Sequence, residues 1–347
     1  MQSYILNIKI LHFYERIQLK KIINSILKIA FPLFLGGAIL YWTYRDFDIT
    51  KVGEVLLREM NYGWMLFSLF FGVLSHVFRG WRWKQTLKPL GENPKTSNCV
   101  YAIFVSYATN LLIPRIGEIS RCGVLSRYDG VSFSKSLGTV VTERLIDTFC
   151  IGLITGVTLL LQMGVFSTFF HETGTDLHSF TEIFTSIHLY IVLVCVAAIL
   201  VLLYLLVKRL AVFGRVKGLM KNVWAGILSL RRVKNIPLFL FYTLAIWICY
   251  FLHFYLTFYC FDFTSHLGWM AGLVMFVVGS IAVVVPTPNG AGPWHFAVIS
   301  MMMLYGVGKE DAGIFALIVH GIQTLLIILL GIYGLAALPF TNKKKSV

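Results

Sequence analysis

The residues best placed to do chemistry form a charged proline-glycine break, Pro114-Arg115-Ile116-Gly117-Glu118-Ile119-Ser120-Arg121, directly after an apolar stretch. A second cluster, Glu143-Arg144-Leu145-Ile146-Asp147, lies inside a hydrophobic run. Ionisable groups at membrane depth are expensive, so they mark substrate or proton paths by default. Arg115, Glu118 and Arg121 recur at spacings of three at a helical start, which puts Glu118 and Arg121 on one face. Guanidiniums there can fork onto a phosphate or carboxylate, and a helix N-terminus after the break adds partial positive charge. The competing reading is a cytoplasmic loop with solvated charges. Pro114 and Gly117, which break the chain beside the charges, favour the anion site.

Glu143 and Asp147 are four apart and stack on one helical face with Arg144 beside them. The trio either neutralises itself as a structural ion cluster or lends Glu143 to Arg115 or Arg121, and either arrangement makes removal of one partner costly. A third candidate is the string Pro286-Thr287-Pro288-Asn289-Gly290-Ala291-Gly292-Pro293. Asn289, Gly290 and Gly292 allow close backbone approach, and His295 opens the returning half-helix, where it either binds ligand or bonds a neighbouring helix. His76, His253, His320 and Gln323 read as helix-helix contacts.

The elements that must carry these groups are membrane helices. Hydrophobic residues make up 57% of the chain and charged ones 13%, a balance foreign to soluble domains. Apolar runs approaching the roughly 20 residues of a crossing lie near 27–44, 62–80, 137–163, 188–207, 237–261, 268–286 and 313–338. Residues 1–28 read as an amphipathic cytoplasmic segment, 29–338 as one transmembrane domain and 339–347 as a basic cytoplasmic tail. The six cysteines form no CxxC pair and read as packing residues. The excess of Lys and Arg falls between apolar runs, where it encodes orientation, and no motif for nucleic acid accompanies it. Connections of about 20 to 30 residues leave no room for a soluble catalytic domain.

Charge asymmetry sets the topology. Residues 79–98 carry Arg79, Arg82, Lys84, Lys88 and Lys95 against Glu92, and residues 208–236 are basic without an acid, so both face the cytoplasm. Residues 164–187 contain no Lys or Arg and lie outside. With Lys343, Lys344 and Lys345 inside, both termini are cytoplasmic, and the count closes if about 99–127 and about 268–306 each enter and leave on one side. The expectation is an all-α polytopic protein of the inner membrane, with about six full spans and two oppositely oriented re-entrant hairpins. Broken segments of opposite sense, one per half, are what an inverted-repeat transporter leaves in its sequence.

The strings Ile113 to Arg121, Thr139 to Asp147 and Pro286 to Gly292 together resemble the membrane domain of lysylphosphatidylglycerol synthases and its stand-alone flippase-like relatives. That family's motifs run Pro, Arg, Gly-Glu and Arg; then Val-Val-x-Glu-Arg-x-x-Asp; then Pro-x-Pro-Gly-Gly-x-Gly, often followed by Glu. Here Asn289 stands where Gly is usual and His295 where the late Glu is common. The resemblance implies movement of a lipid or lipid-linked headgroup between leaflets. The family's soluble aminoacyl-transfer domain is absent from this sequence, so lysyl-lipid synthesis is not implied.

The expected function is therefore a flippase-like translocator with no cofactor. Its expected partners are a phospholipid or lipid-linked substrate and the membrane, with a second copy or an envelope-lipid enzyme also open. Arg115 and Arg121 would hold the lipid phosphate, Glu118 and Glu143 would balance or recognise a positive group, and Arg144 with Asp147 would hold the site together. The tip at 286–293 would be the opposing wall. The alternative is a membrane glycosyltransferase or accessory factor for polyprenyl-phosphate sugars, read from the acidic pair Asp46-Phe47-Asp48 in the first outer loop. His171-Glu172-Thr173-Gly174-Thr175 lacks the second His of a zinc protease, and no ATP or NAD fingerprint occurs.

Overall fold

A computed structural model describes residues 30–45, 47–164, 213–229 and 233–342. The expected amphipathic start, the 188–207 span, Asp46, Cys195, the His171 string and the C-terminal lysines lie outside the described residues.

The described residues form helices without strands. In lipid each backbone N–H and C=O must be satisfied within its own segment, and the Leu, Ile, Phe and Val runs supply an apolar exterior for such helices. The helices are α1 (Ala30–Tyr44), α2 (Ile49–Glu54), α3 (Tyr62–Leu87), α4 (Thr96–Leu112), α5 (Gly117–Asp129) and α6 (Phe133–Leu161). They continue with α7 (Phe213–Ile227), α8 (Ile236–Tyr255), α9 (Trp269–Ala282), α10 (Pro293–Leu304) and α11 (Lys309–Thr341). Local chemistry explains the boundaries. Asn61 Oδ1 accepts from the N–H groups of Gly63 and Trp64 to start α3, Asn235 Oδ1 accepts from Leu238 to start α8, and Gly130 at φ 67° ends α5.

Among the described residues, three helical stretches are long and apolar enough to cross a membrane: α6, α8 with its 3-10 extension to Cys260, and α11. A fourth arises if α3 is joined to the α2 segment across a 93° bend. Their outward faces carry exposed Leu145, Phe149, Leu153, Leu160, Leu240, Leu244 and Leu329, an apolar surface suited to lipid. The molecule is a polytopic all-α membrane protein.

Both proline-glycine breaks form helical hairpins. In the first, Asp129 at the end of α5 accepts from Lys95 N at 3.1 Å and from Asn98 Nδ2 at 2.9 Å at the start of α4, so the two helices leave the same end of the bundle. At the turn, a Cβ on Gly117 would sit 2.2 Å from the carbonyl oxygen of Ser106, so a residue without a side chain is required for this close crossing. In the second hairpin, Gly279 of α9 takes the indole of Trp294 from α10 at 2.9 Å from its would-be Cβ. The hairpin helices, 17, 13, 14 and 12 residues long, fall at or below the length of a crossing.

The hairpins open at opposite ends. Lys95 Nζ reaches Thr341 O and Asn342 at the end of α11, whereas Lys51, near the second hairpin's end of the bundle, pairs with Glu310 at its start, 2.8 Å away. Their tips approach one another, since the turn Pro288–Gly290 packs against α4. Two apolar cores flank the meeting point. One is built on Phe258, Met275, Met301 and Phe315, the other on Trp83, Leu87, Ile103 and Leu125.

Candidate functional site

Between the two cores lies a buried ion network. Asp147 and Glu143, one turn apart on α6, face α3, which presents Arg79 and Arg82 at a spacing of three. Arg79 Nη1 donates to Asp147 Oδ2 at 2.6 Å and Arg82 Nη2 to Asp147 Oδ1 at 2.8 Å. Arg121, on α5, donates to Glu143 Oε2 at 2.7 Å, and the other oxygen of Glu143 faces Arg82 Nε at 3.6 Å. Arg79, Arg82, Arg121 and Glu143 are each at most 2% exposed. Charges this far from water persist only when paired and further hydrogen-bonded. The support is present: Arg82 Nη1 donates to Thr243, the Arg121 guanidinium lies 4.6 Å over the Trp83 ring, and Trp83 Nε1 donates to Thr139 at 2.9 Å.

Arg144 differs from the rest. Its side chain is 44% exposed and it stands 3.9 Å from both Glu118 and Asp147, too far for a hydrogen bond to either. It lies at the rim of a cavity of about 330 Å³ between the halves of the molecule. Arg79, Tyr107, Arg144, Asp147 and Tyr250 line one side, and Gly279, Ser280, Val283 and Trp294 of the second hairpin line the other. The Tyr107 and Tyr250 hydroxyls are 2.7 Å apart, and Arg79 Nε donates to the latter at 3.2 Å. His253 and Gln323 also line the cavity while holding helices together: Gln323 Nε2 donates to His253 O, and His253 Nδ1 sits 2.9 Å from Ser68 O.

The structure thus brings Glu118, Arg121, Glu143, Arg144 and Asp147 into one network, with Arg121 in the place foreseen as a partner of Glu143. Arg115 is not part of it. It precedes the helix at φ 66°, is exposed and has no ion-pair partner among the described residues, because the turn, not a helical face, sets its direction. Asn289, Gly290, Gly292 and His295 do not line the cavity either. Gly292 at φ 92° lets the tip settle on α1, where a Cβ would meet Gly36 O at 2.8 Å. Asn289 donates to Thr324 and its carbonyl lies 3.1 Å from His320 Nε2, while His295 is buried with its ring 4.5 Å from that of His320. The opposing wall comes from α9 and Trp294 instead of the 286–293 tip.

Arg79 and Arg82 are not the cytoplasmic loop charges that the sequence suggests: α3 continues past residue 80 to Leu87 and buries both. Their signal was a spacing of three that continues an apolar run without a break. Tyr107, Trp247 and Tyr250 carried no signal distinguishing them from ordinary membrane aromatics.

The family described as the lysylphosphatidylglycerol synthase TM region matches residues 27–331, most of the chain. The chain belongs to that family. All three motifs, and every residue of the ion network, fall within the matched region of the lysylphosphatidylglycerol synthase transmembrane family. The chain is also similar to glycosyltransferase AglD of Haloferax volcanii, 30% identical over 89 residues, which is 25% of this chain and 14% of that protein. No solved structure matches.

Proposed function

We propose that this chain translocates the headgroup of a phospholipid or lipid-linked molecule between leaflets. The observation that carries the reading is the cavity of about 330 Å³, where an arginine-rich network meets an apolar wall from the opposing hairpin. Its size is at the low end of ligand sites, enough for a headgroup while the acyl or prenyl tails stay in lipid. Half-helix ends meeting near mid-depth are the arrangement used for substrates in inverted-repeat transporters. By the positive-inside rule, the end bearing Lys84, Lys88, Lys95, Arg127 and Lys135 faces the cytoplasm, which puts the first hairpin's opening there and the second hairpin's opening outside.

The test is leaflet exchange of labelled lipids in proteoliposomes. Glu118→Gln and Arg144→Ala each remove one charge beside the cavity and should each lower exchange by about tenfold or more in normally inserted protein. Wild-type rates in both variants would sink the reading.

The similarity to a protein named as a glycosyltransferase keeps a second reading, action on polyprenyl-phosphate-linked sugar at the outer face. It requires the outer acidic pair. Asp48 already caps α2: its carboxylate accepts from Thr50 Oγ1 at 2.6 Å and Thr50 N at 2.9 Å, bonds that hold it below the usual carboxylate range. Asn caps a helix nearly as well. Asp48→Asn should therefore leave function intact if the cavity is the site, and a glycosyl-transfer assay in which this variant alone is dead would favour the enzyme.

A further inference from the structure

The charges around the cavity do not cancel. Among the described residues the network holds four arginines, Arg79, Arg82, Arg121 and Arg144, against three carboxylates, Glu118, Glu143 and Asp147. One positive charge is in excess, at a depth where excess charge is costly. The one carboxylate in the lining is also occupied. Asp147, the only one of the three lining the cavity, gives one oxygen to Arg79 and the other to Arg82. Glu143, fully buried between Arg82 and Arg121, and Glu118, 3.9 Å from Arg144, each have one oxygen without a hydrogen-bond partner among the described residues, and neither lines the cavity. What the cavity offers a ligand is donors: the loosely held Arg144, Arg79 with the paired Tyr107 and Tyr250 hydroxyls, and Trp247, whose buried indole N–H faces the Cys150 thiol and meets no oxygen acceptor among the described residues.

We infer that the headgroup taken by this site is a phosphodiester with one net negative charge and no ammonium group. The inference rests on the translocator reading of the cavity and specifies its substrate class. A phosphodiester supplies acceptor oxygens to Arg144 and the Trp247 N–H and cancels the excess charge. A headgroup carrying an amine, whether zwitterionic or aminoacylated, would bring its ammonium beside two guanidiniums and find no free carboxylate in the lining. Membership in a family described by lysylphosphatidylglycerol synthesis therefore does not extend to lysylated lipid as the cargo of this chain.

The experiment is lipid retention by the full chain in neutral detergent, read by native mass spectrometry during titration with phosphatidylglycerol, phosphatidylethanolamine, lysylphosphatidylglycerol or soluble glycerol phosphate. Phosphatidylglycerol should be retained about tenfold or more over either amine-bearing lipid, and Arg144→Gln should shrink that preference to about twofold or less. Trp247→Phe should weaken phosphatidylglycerol about threefold without changing the order. Equal or tighter retention of an amine-bearing lipid, or a preference untouched in Arg144→Gln, would overturn the inference. Glycerol phosphate bound as tightly as phosphatidylglycerol would also overturn it, by making the ligand a soluble phosphate ester. Leaflet exchange is scored separately on the same preparation: selective retention without exchange supports the headgroup assignment and removes translocation.

Discussion

Within the ion network, burial divides the charges into those that hold the fold and one that is free to act. Glu143 is sealed between Arg82 and Arg121, so Glu143→Gln strips a counter-ion from arginines with no access to water. Breaking a buried pair in this way costs about 3–5 kcal/mol, and Glu143→Gln should appear as a sharply lowered melting temperature and poor yield. Arg144, by contrast, is held only at 3.9 Å and is partly exposed, so Arg144→Gln should melt within a few degrees of wild type and lose exchange. A cooperative melt of Glu143→Gln at the wild-type temperature would contradict this division. Glu118, Arg121, Glu143, Arg144 and Asp147 were legible in the sequence because charge inside or beside an apolar run has few uses. Arg79 and Arg82 were not, since a basic residue at the end of an apolar run looks the same whether the helix stops or continues. Arg115 misled for a related reason: spacing says nothing of a left-handed turn residue that sends the side chain elsewhere.

The hairpins were legible as elements because Pro and Gly interrupt hydrogen bonding in lipid wherever they fall. The purpose of the glycines was not. Gly117 serves packing of α5 on α4, and Gly292 serves packing of the second tip on α1, contacts between segments distant in sequence. Gly117→Ala should therefore cost about 1–3 kcal/mol, because its Cβ must displace the Ser106 carbonyl and the Asn110 side chain. Gly123→Ala, six residues on in the same helix with nothing within 4 Å, is the matched control and should stay within about 0.5 kcal/mol of wild type. Thermal melts in detergent compare the two, and equal stability would show that the hairpin is not wedged as described. The α6 to α7 crossing uses the same device, with Gly138 against the backbone of Val223 and Gly226, a small-residue contact of the kind that lets membrane helices approach.

At the scale of the whole molecule, two hairpins from opposite ends bring their tips together, and the charge network of the first half faces a mostly apolar wall from the second. Opposed breaks and the basic asymmetry made this plan readable in outline. The pairings that close it, Arg79 with Asp147 and Arg82 with Thr243, join residues far apart in the chain and left no local pattern. The central claim is that the space between the halves is where a headgroup sits during crossing. Ser280 lines that space from α9, and among the described residues its hydroxyl bonds only the carbonyl of Phe276 one turn back, so Ser280→Phe fills the cavity with little cost to the helix. The deciding measurement is exchange of labelled phosphatidylglycerol by wild type and Ser280→Phe in matched proteoliposomes. The expected result is exchange by the wild type and loss of about tenfold or more in a variant that melts normally, the scale of a blocked site; equal rates from both proteins would contradict the assignment of the cavity as the path.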